Sequence, residues 1–184
     1  TAAALEIYFI SGMEIMMSQL KCDFKVVGPV QTNCYFLSNT DTRECVIVDP
    51  GEEAGKIADF IEKKELKPVA ILLTHGHFDH IGAVYEIRNR YGIKVYAAAA
   101  EKETLENPDI NLSSQFGGGY TVKADEFLND GQEIELLGEK VRCLLTPGHT
   151  KGGMCYYFTG SGILFSGDTL FQQSVGRTDF PGGS

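Results

Sequence analysis

The run Val69-Ala70-Ile71-Leu72-Leu73 passes without interruption into Thr74-His75-Gly76-His77-Phe78-Asp79-His80. A short, continuously apolar segment after Pro68 reads as a buried strand. It delivers three imidazoles and a carboxylate at its end, and polar groups so close to a core need a partner. A metal ion satisfies all of them together. The chain has four histidines, and the remaining one, His149, stands in Thr146-Pro147-Gly148-His149-Thr150. Any fold must therefore bring residues 146–150 within reach of the end of this strand.

His75 and His77, two apart on extended backbone, point to one side and offer two nitrogens to one ion. His149 is the economical third. Asp79 and His80 follow where the chain turns into a helix, out of easy reach of that ion, and indicate a second metal alongside. Asp168, in Ser166-Gly167-Asp168 at the end of another apolar run, is placed to bridge the pair. Two ions about 3.5–4 Å apart lower the pKa of a shared water and polarise a carbonyl, chemistry that suits hydrolysis of an ester, thioester, lactone or amide. The nitrogen-rich donor set favours zinc, and iron and manganese also accept mixed imidazole and carboxylate ligands. Asp49, in Asp49-Pro50-Gly51, reads as a turn residue.

The rest of the chain fits an α/β domain. Short β-prone runs at 24–27, 34–37 and 44–48 open it as an antiparallel sheet. Residues 53–64 carry Ile57, Phe60 and Ile61 at helical spacing, and residues 81–91 carry Val84, Ile87 and Tyr91 before Gly92. Further strands are expected at 94–97, 140–145, 155–158 and 163–165. A short helix is expected at 99–105, and a loop or lid at 111–120 with Gly117-Gly118-Gly119. Three strands thus end in ligand-bearing loops. A two-sheet sandwich with helices outside is the simplest packing that buries so many short strands.

A chain of 184 residues is one domain by size. Its formal charge of −9 excludes the clustered cations that a nucleic-acid backbone demands. Five scattered cysteines without a C-x-x-C pair give neither a disulfide framework nor a thiolate zinc site, and fit a reducing cytoplasm. No apolar run approaches the ~20 residues of a membrane span. The stretch Leu5-Glu6-Ile7-Tyr8-Phe9-Ile10-Ser11-Gly12-Met13 resembles a protease-cleavage leader, so residues 1–12 are read as an expression leader and 13–184 as the domain.

Taken together, Thr74 to His80, Pro147-Gly148-His149-Thr150 and Phe165-Ser166-Gly167-Asp168-Thr169-Leu170-Phe171 resemble the successive metal motifs of the metallo-β-lactamase fold superfamily. Gln31-Thr32-Asn33-Cys34-Tyr35 and Gly176-Arg177-Thr178-Asp179-Phe180-Pro181-Gly182-Gly183 are similar to the compact bacterial glyoxalase II-like (hydroxyacylglutathione hydrolase-like) members. The resemblance implies a four-layer αβ/βα sandwich whose C-terminal part is missing here. It implies two divalent metal ions, one on His75, His77, His149 and Asp168, the other on Asp79, His80 and Asp168. Members usually add a later histidine to the second site, which leaves that site one ligand short in this chain. The implied activity is hydrolysis of a small-molecule acyl thioester, with Asp79 and His80 catalytic and Arg177 a candidate for holding a substrate carboxylate. Alternatives are a mononuclear iron persulfide dioxygenase, a lactonase, or a non-catalytic metal-stabilised binding module.

Overall fold

In the computed structural model, which describes residues 7–9, 19–116 and 118–183, strand alternation sorts the apolar side chains into two cores. The first sheet holds β2 (Leu20–Val27), β3 (Thr32–Asn39), β4 (Glu44–Val48), β5 (Lys67–Leu72), β6 (Lys94–Ala98) and β7 (Glu126–Leu128), in that order. β2 to β4 are antiparallel, as the sequence indicates, and β4 to β7 run parallel. Successive side chains of a strand face opposite ways. Phe36, Ile47 and Ile71 accordingly enter one core, while Tyr35, Leu37, Val46, Val48 and Leu72 enter the other.

The first core is closed by helices. α1 (Ala54–Lys63) contributes Ile57, Phe60 and Ile61. The single helix expected at 81–91 is two: α2 (Phe78–Ile81) and α3 (Val84–Tyr91). At the break the Ala83 N–H donates to the Pro50 carbonyl at 2.9 Å. A Cβ on Gly82 would lie 2.3 Å from the Gly51 carbonyl oxygen and 2.9 Å from the Tyr120 hydroxyl, so the chain is pressed against the Asp49-Pro50-Gly51 turn. Gly92 caps α3 with a left-handed φ of 64°. A 3-10 turn (Ala99–Glu101) and α4 (Lys102–Glu106) follow β6, and α5 (Ser113–Phe116) lies within the expected loop at 111–120. Gly117 lies outside the described residues.

The second core lies between the sheets. Its far side is an antiparallel sheet ordered β1 (Ile7–Phe9), β11 (Ile163–Phe165), β10 (Met154–Phe158), β9 (Glu139–Leu145) and β8 (Glu133–Leu136). Val141, Cys143, Tyr156, Phe158 and Phe165 pack from it against β3, β4 and β5. Burying each large side chain of this kind stabilises by about 1.5–3 kcal/mol. The helix layer and the two sheets supply three layers of the expected sandwich among the described residues. Residues 7–9 of the expected leader pair with β11; residues 1–6 and 10–12 fall outside the described residues. A small hairpin of β12 (Leu170–Phe171) and β13 (Ser174–Val175), not anticipated from sequence, follows Asp168. The five cysteines are unpaired, as expected.

The two sheets grip each other where β5 ends. The Tyr156 hydroxyl donates to the Leu73 carbonyl at 2.9 Å, and the Met154 N–H donates to the Thr74 carbonyl at 2.8 Å. This seam carries His75 into the interior.

Candidate metal centre

Three strand ends converge at the seam. β5 leads into His75, His77 and α2 with Asp79 and His80; β9 leads into the loop with His149; β11 leads into a 3-10 turn (Gly167–Thr169) with Asp168. The ring centroids of His75, His77 and His149 lie 4.6–4.8 Å apart. His75, His80 and Asp168 form a second group with ligand atoms within 4.8 Å of one another. Asp168 faces both groups: Oδ1 lies 3.4 Å from His80 Nε2, and Oδ2 lies 3.5 Å from His149 Nε2. Asp79 Oδ2 lies 3.5 Å from His80 Nε2. All six residues expected to hold metal are thus brought together.

The hydrogen bonds fix which nitrogens face the cluster. His149 Nδ1 donates to the Arg177 carbonyl at 2.7 Å, and His80 Nδ1 donates to Asp49 Oδ2 at 3.0 Å, so each ring turns Nε2 inward as the atom that can ligate once it carries no proton. The Thr74 hydroxyl donates to Asp49 Oδ2 at 2.6 Å and accepts from His75 Nδ1 at 3.2 Å, which gives His75 the same tautomer. His75 Nε2 is buried without a hydrogen-bond partner. An orphaned acceptor amid imidazoles and carboxylates is what a cation would complete. His77 is turned the other way, with Nδ1 2.9 Å from His149 Nε2.

Electrostatics agree with this donor set. Burial pushes His75 well below the ordinary imidazole range, aided by the neighbouring rings, and lowers His77 to about 4, so both are neutral and ready to ligate at neutral pH. Burial also opposes a charge on His80, but Asp79, Asp168 and Asp49 override it and hold its pKa well above the ordinary value. Asp168 is depressed against its own burial by that same His80 charge. One imidazolium among three carboxylates leaves a negative excess that a divalent ion neutralises.

Residues 174–183 border the site. The Phe180 ring stands edge-on to His77 at 5.4 Å and to His149 at 6.0 Å, and the Arg177 guanidinium lies over its face at 4.2 Å. Both arms of the Arg177 fork go to Asp179, at 2.6 Å each, so a substrate carboxylate has to displace Asp179 to use it. These bonds from Arg177 lower the Asp179 carboxyl to about 2. Because the folded pKa is depressed, the pair's contribution is present above the unfolded value of about 3.9 and is lost as pH falls through about 2. An NMR titration of the Asp179 carboxyl should show this low midpoint, returning to about 3.9 in Arg177→Ala; an unchanged midpoint would show that the fork does not hold in solution.

Sequence reading missed the residues that orient the ligands. Asp49 does sit in a turn, with φ 52°, yet it is 1% exposed and holds Thr74 and His80. The signal was present, since Asp49 also ends an apolar strand. Thr32 donates to Asp79 Oδ2 at 2.6 Å, and Glu101, also 1% exposed, reaches the loops on either side of the three-histidine group.

A two-sheet sandwich with a helical outer layer and a cluster of three imidazoles and a bridging carboxylate at its seam defines a divalent-metal-binding hydrolase. The sequence profile described as the metallo-beta-lactamase superfamily matches residues 27–184, and the chain belongs to that superfamily. It is 44% identical over 160 residues to the probable metallo-hydrolase YqgX of Bacillus subtilis (strain 168), covering 86% of this chain and 75% of that protein. It is 33% identical over 163 residues to the hydroxyacylglutathione hydrolase GloC of Haemophilus influenzae, covering 85% and 75%. The crystal structure of BLEG-1 B3 metallo-beta-lactamase superposes with a TM-score of 0.83 at 43% identity, covering 89% of this chain and 79% of that one. Among the described residues no helix is long and apolar enough to cross a membrane.

Proposed function

We propose that the protein hydrolyses small-molecule acyl thioesters of the hydroxyacyl-glutathione kind in the cytoplasm. The observation that carries the reading is the placement of Asp168 with one oxygen toward each half of a six-residue donor cluster. Similarity to GloC supports the thioester class. His75, His77, His149 and Asp168 would hold one divalent ion, zinc by its nitrogen-rich donors, and Asp79, His80 and Asp168 would hold a second. When bound, the ions supply polarisation of the scissile carbonyl and acidification of water.

The chain's own residues do the rest. Asp49 and the Arg177 carbonyl hold His80 and His149 with Nε2 inward, and Thr32 ties down Asp79 Oδ2. Asp79 and Asp168 are the partly exposed acidic members of the cluster, with side chains 22% and 24% accessible. That access supports Asp79 as the group that would take a proton from the attacking water. Phe180 stands beside His77 and His149 as an apolar wall of the site.

Release of free thiol from lactoylglutathione by metal-loaded protein tests this. Turnover that disappears on chelation and returns with zinc is expected, and absence of turnover overturns the thioester reading. The likeness to BLEG-1 favours a second reading, β-lactam hydrolysis. Opening of a chromogenic cephalosporin by the same preparation, without thiol release, would establish it instead. Oxygen uptake with glutathione persulfide would point to the dioxygenase alternative.

A further inference from the structure

Glu101 ends the 3-10 turn after β6 and is 1% exposed. Oε1 accepts the Gly76 N–H at 2.9 Å; Oε2 accepts the Thr150 hydroxyl at 3.0 Å and the Gly152 N–H at 2.7 Å. Gly76 lies between His75 and His77, and Thr150 follows His149. One carboxylate therefore clips together two loops that come from different sheets. The approach is close on both sides. A Cβ on Gly152 would lie 2.2 Å from the Glu101 nitrogen, and one on Gly76 would lie 3.1 Å from the Thr104 and Leu105 side chains.

None of these three partners is a cation, nor is the Thr104 side chain, which also hydrogen-bonds the carboxylate. A buried carboxylate held only by neutral donors is costly compared with an apolar side chain of the same volume, so loop adhesion alone does not account for it. What the carboxylate adds is geometry. Its two oxygens have acceptor capacity for all of these donors, whereas an amide offers one acceptor oxygen and turns N–H groups toward a donor. We infer that Glu101 is a positioning residue that fixes the separation of the His75–His77 turn from the His149 loop, and so sets the affinity of the ion held by the three histidines. The inference rests on the metal-site reading above.

The four histidines give a readout for each site. Zinc is titrated into full-length protein in a competing metal buffer, and the ring signals of His77, His149 and His80 are followed by 1H–15N NMR. In Glu101→Gln the His77 and His149 midpoints should move to about 10–100-fold higher free zinc, the usual effect of losing an outer-shell partner, while the His80 midpoint stays in place. Parallel movement of all midpoints, or none, overturns the inference. If Glu101→Gln does not fold, Thr150→Val removes one donor to Oε2 and should shift the same two midpoints by a smaller factor; no selective shift there also overturns it. Wild-type protein that binds no zinc would overturn the metal-site reading along with it, whereas zinc binding unaltered by Glu101→Gln removes this inference alone.

Discussion

Replacing His77 with alanine is expected to lower kcat/KM by at least about 10^3-fold, with the metal-free fold retained. His77 is 2% exposed, and its Nδ1 meets His149 Nε2 at 2.9 Å, so under the proposed function it would offer one of three nitrogens to a single ion. A bound metal contributes several kcal/mol to stabilising charge in the transition state, and each 1.36 kcal/mol is tenfold in rate. The fold survives because little beyond the Nδ1 bond to His149 is lost without metal: burial holds the His77 pKa at about 4, and its Nε2 has no hydrogen-bond partner. Metal-free wild type and variant should therefore unfold at similar denaturant concentrations. Added zinc should raise the wild-type midpoint more, since at a given concentration a tighter ligand stabilises the folded state further. Thiol release and zinc content per chain check both parts. Wild-type rates in His77→Ala would remove the three-histidine site from the chemistry.

The ligands themselves were readable because they follow apolar runs. His75, His149 and Asp168 each lie just beyond a strand, and hydrophobic runs of strand length are the strongest local signal a sequence carries. The two cores were readable for the same reason, since alternate residues of β3 and β4 are apolar on both faces. What sequence does not encode locally is which loops meet. Glu101 reaches Gly76 across 25 positions and Gly152 across 51, and Asp49 reaches His80 across 31. Nothing near either acid announces those partners, so Asp49 reads as a turn and Glu101 as one more charge at a helix start. The break after Ile81 belongs to the same class, because there the Ala83 N–H bonds the distant Pro50 carbonyl.

Replacing Asp49 with alanine is expected to cost the metal-free protein about 3–5 kcal/mol, the range for removing one partner of a buried charged pair. Asp49 ends β4 beside β5 and serves three donors: Oδ1 takes the Thr74 N–H at 2.8 Å, and Oδ2 takes the Thr74 hydroxyl at 2.6 Å and His80 Nδ1 at 3.0 Å. Alanine strands all three in a buried site, and each uncompensated donor costs about 1–3 kcal/mol. The loss has a defined pH dependence. The carboxylates around His80, Asp49 among them, raise its pKa well above its ordinary value. A raised folded pKa contributes stability that is fully present below the unfolded value of about 6.5 and lost as pH rises through the folded one. The gap between wild type and Asp49→Ala should therefore be widest below about pH 6.5 and narrow as His80 gives up its proton. An amide at this position keeps the shape but turns an N–H toward a donor, so Asp49→Asn should fall between wild type and Asp49→Ala. Both variants should also weaken zinc binding at His80, because the Nδ1 bond that holds Nε2 toward Asp79 and Asp168 is gone or reversed. Denaturant midpoints across pH, measured with and without zinc, read both effects. A gap that widens with rising pH would show that His80 is not the group Asp49 stabilises.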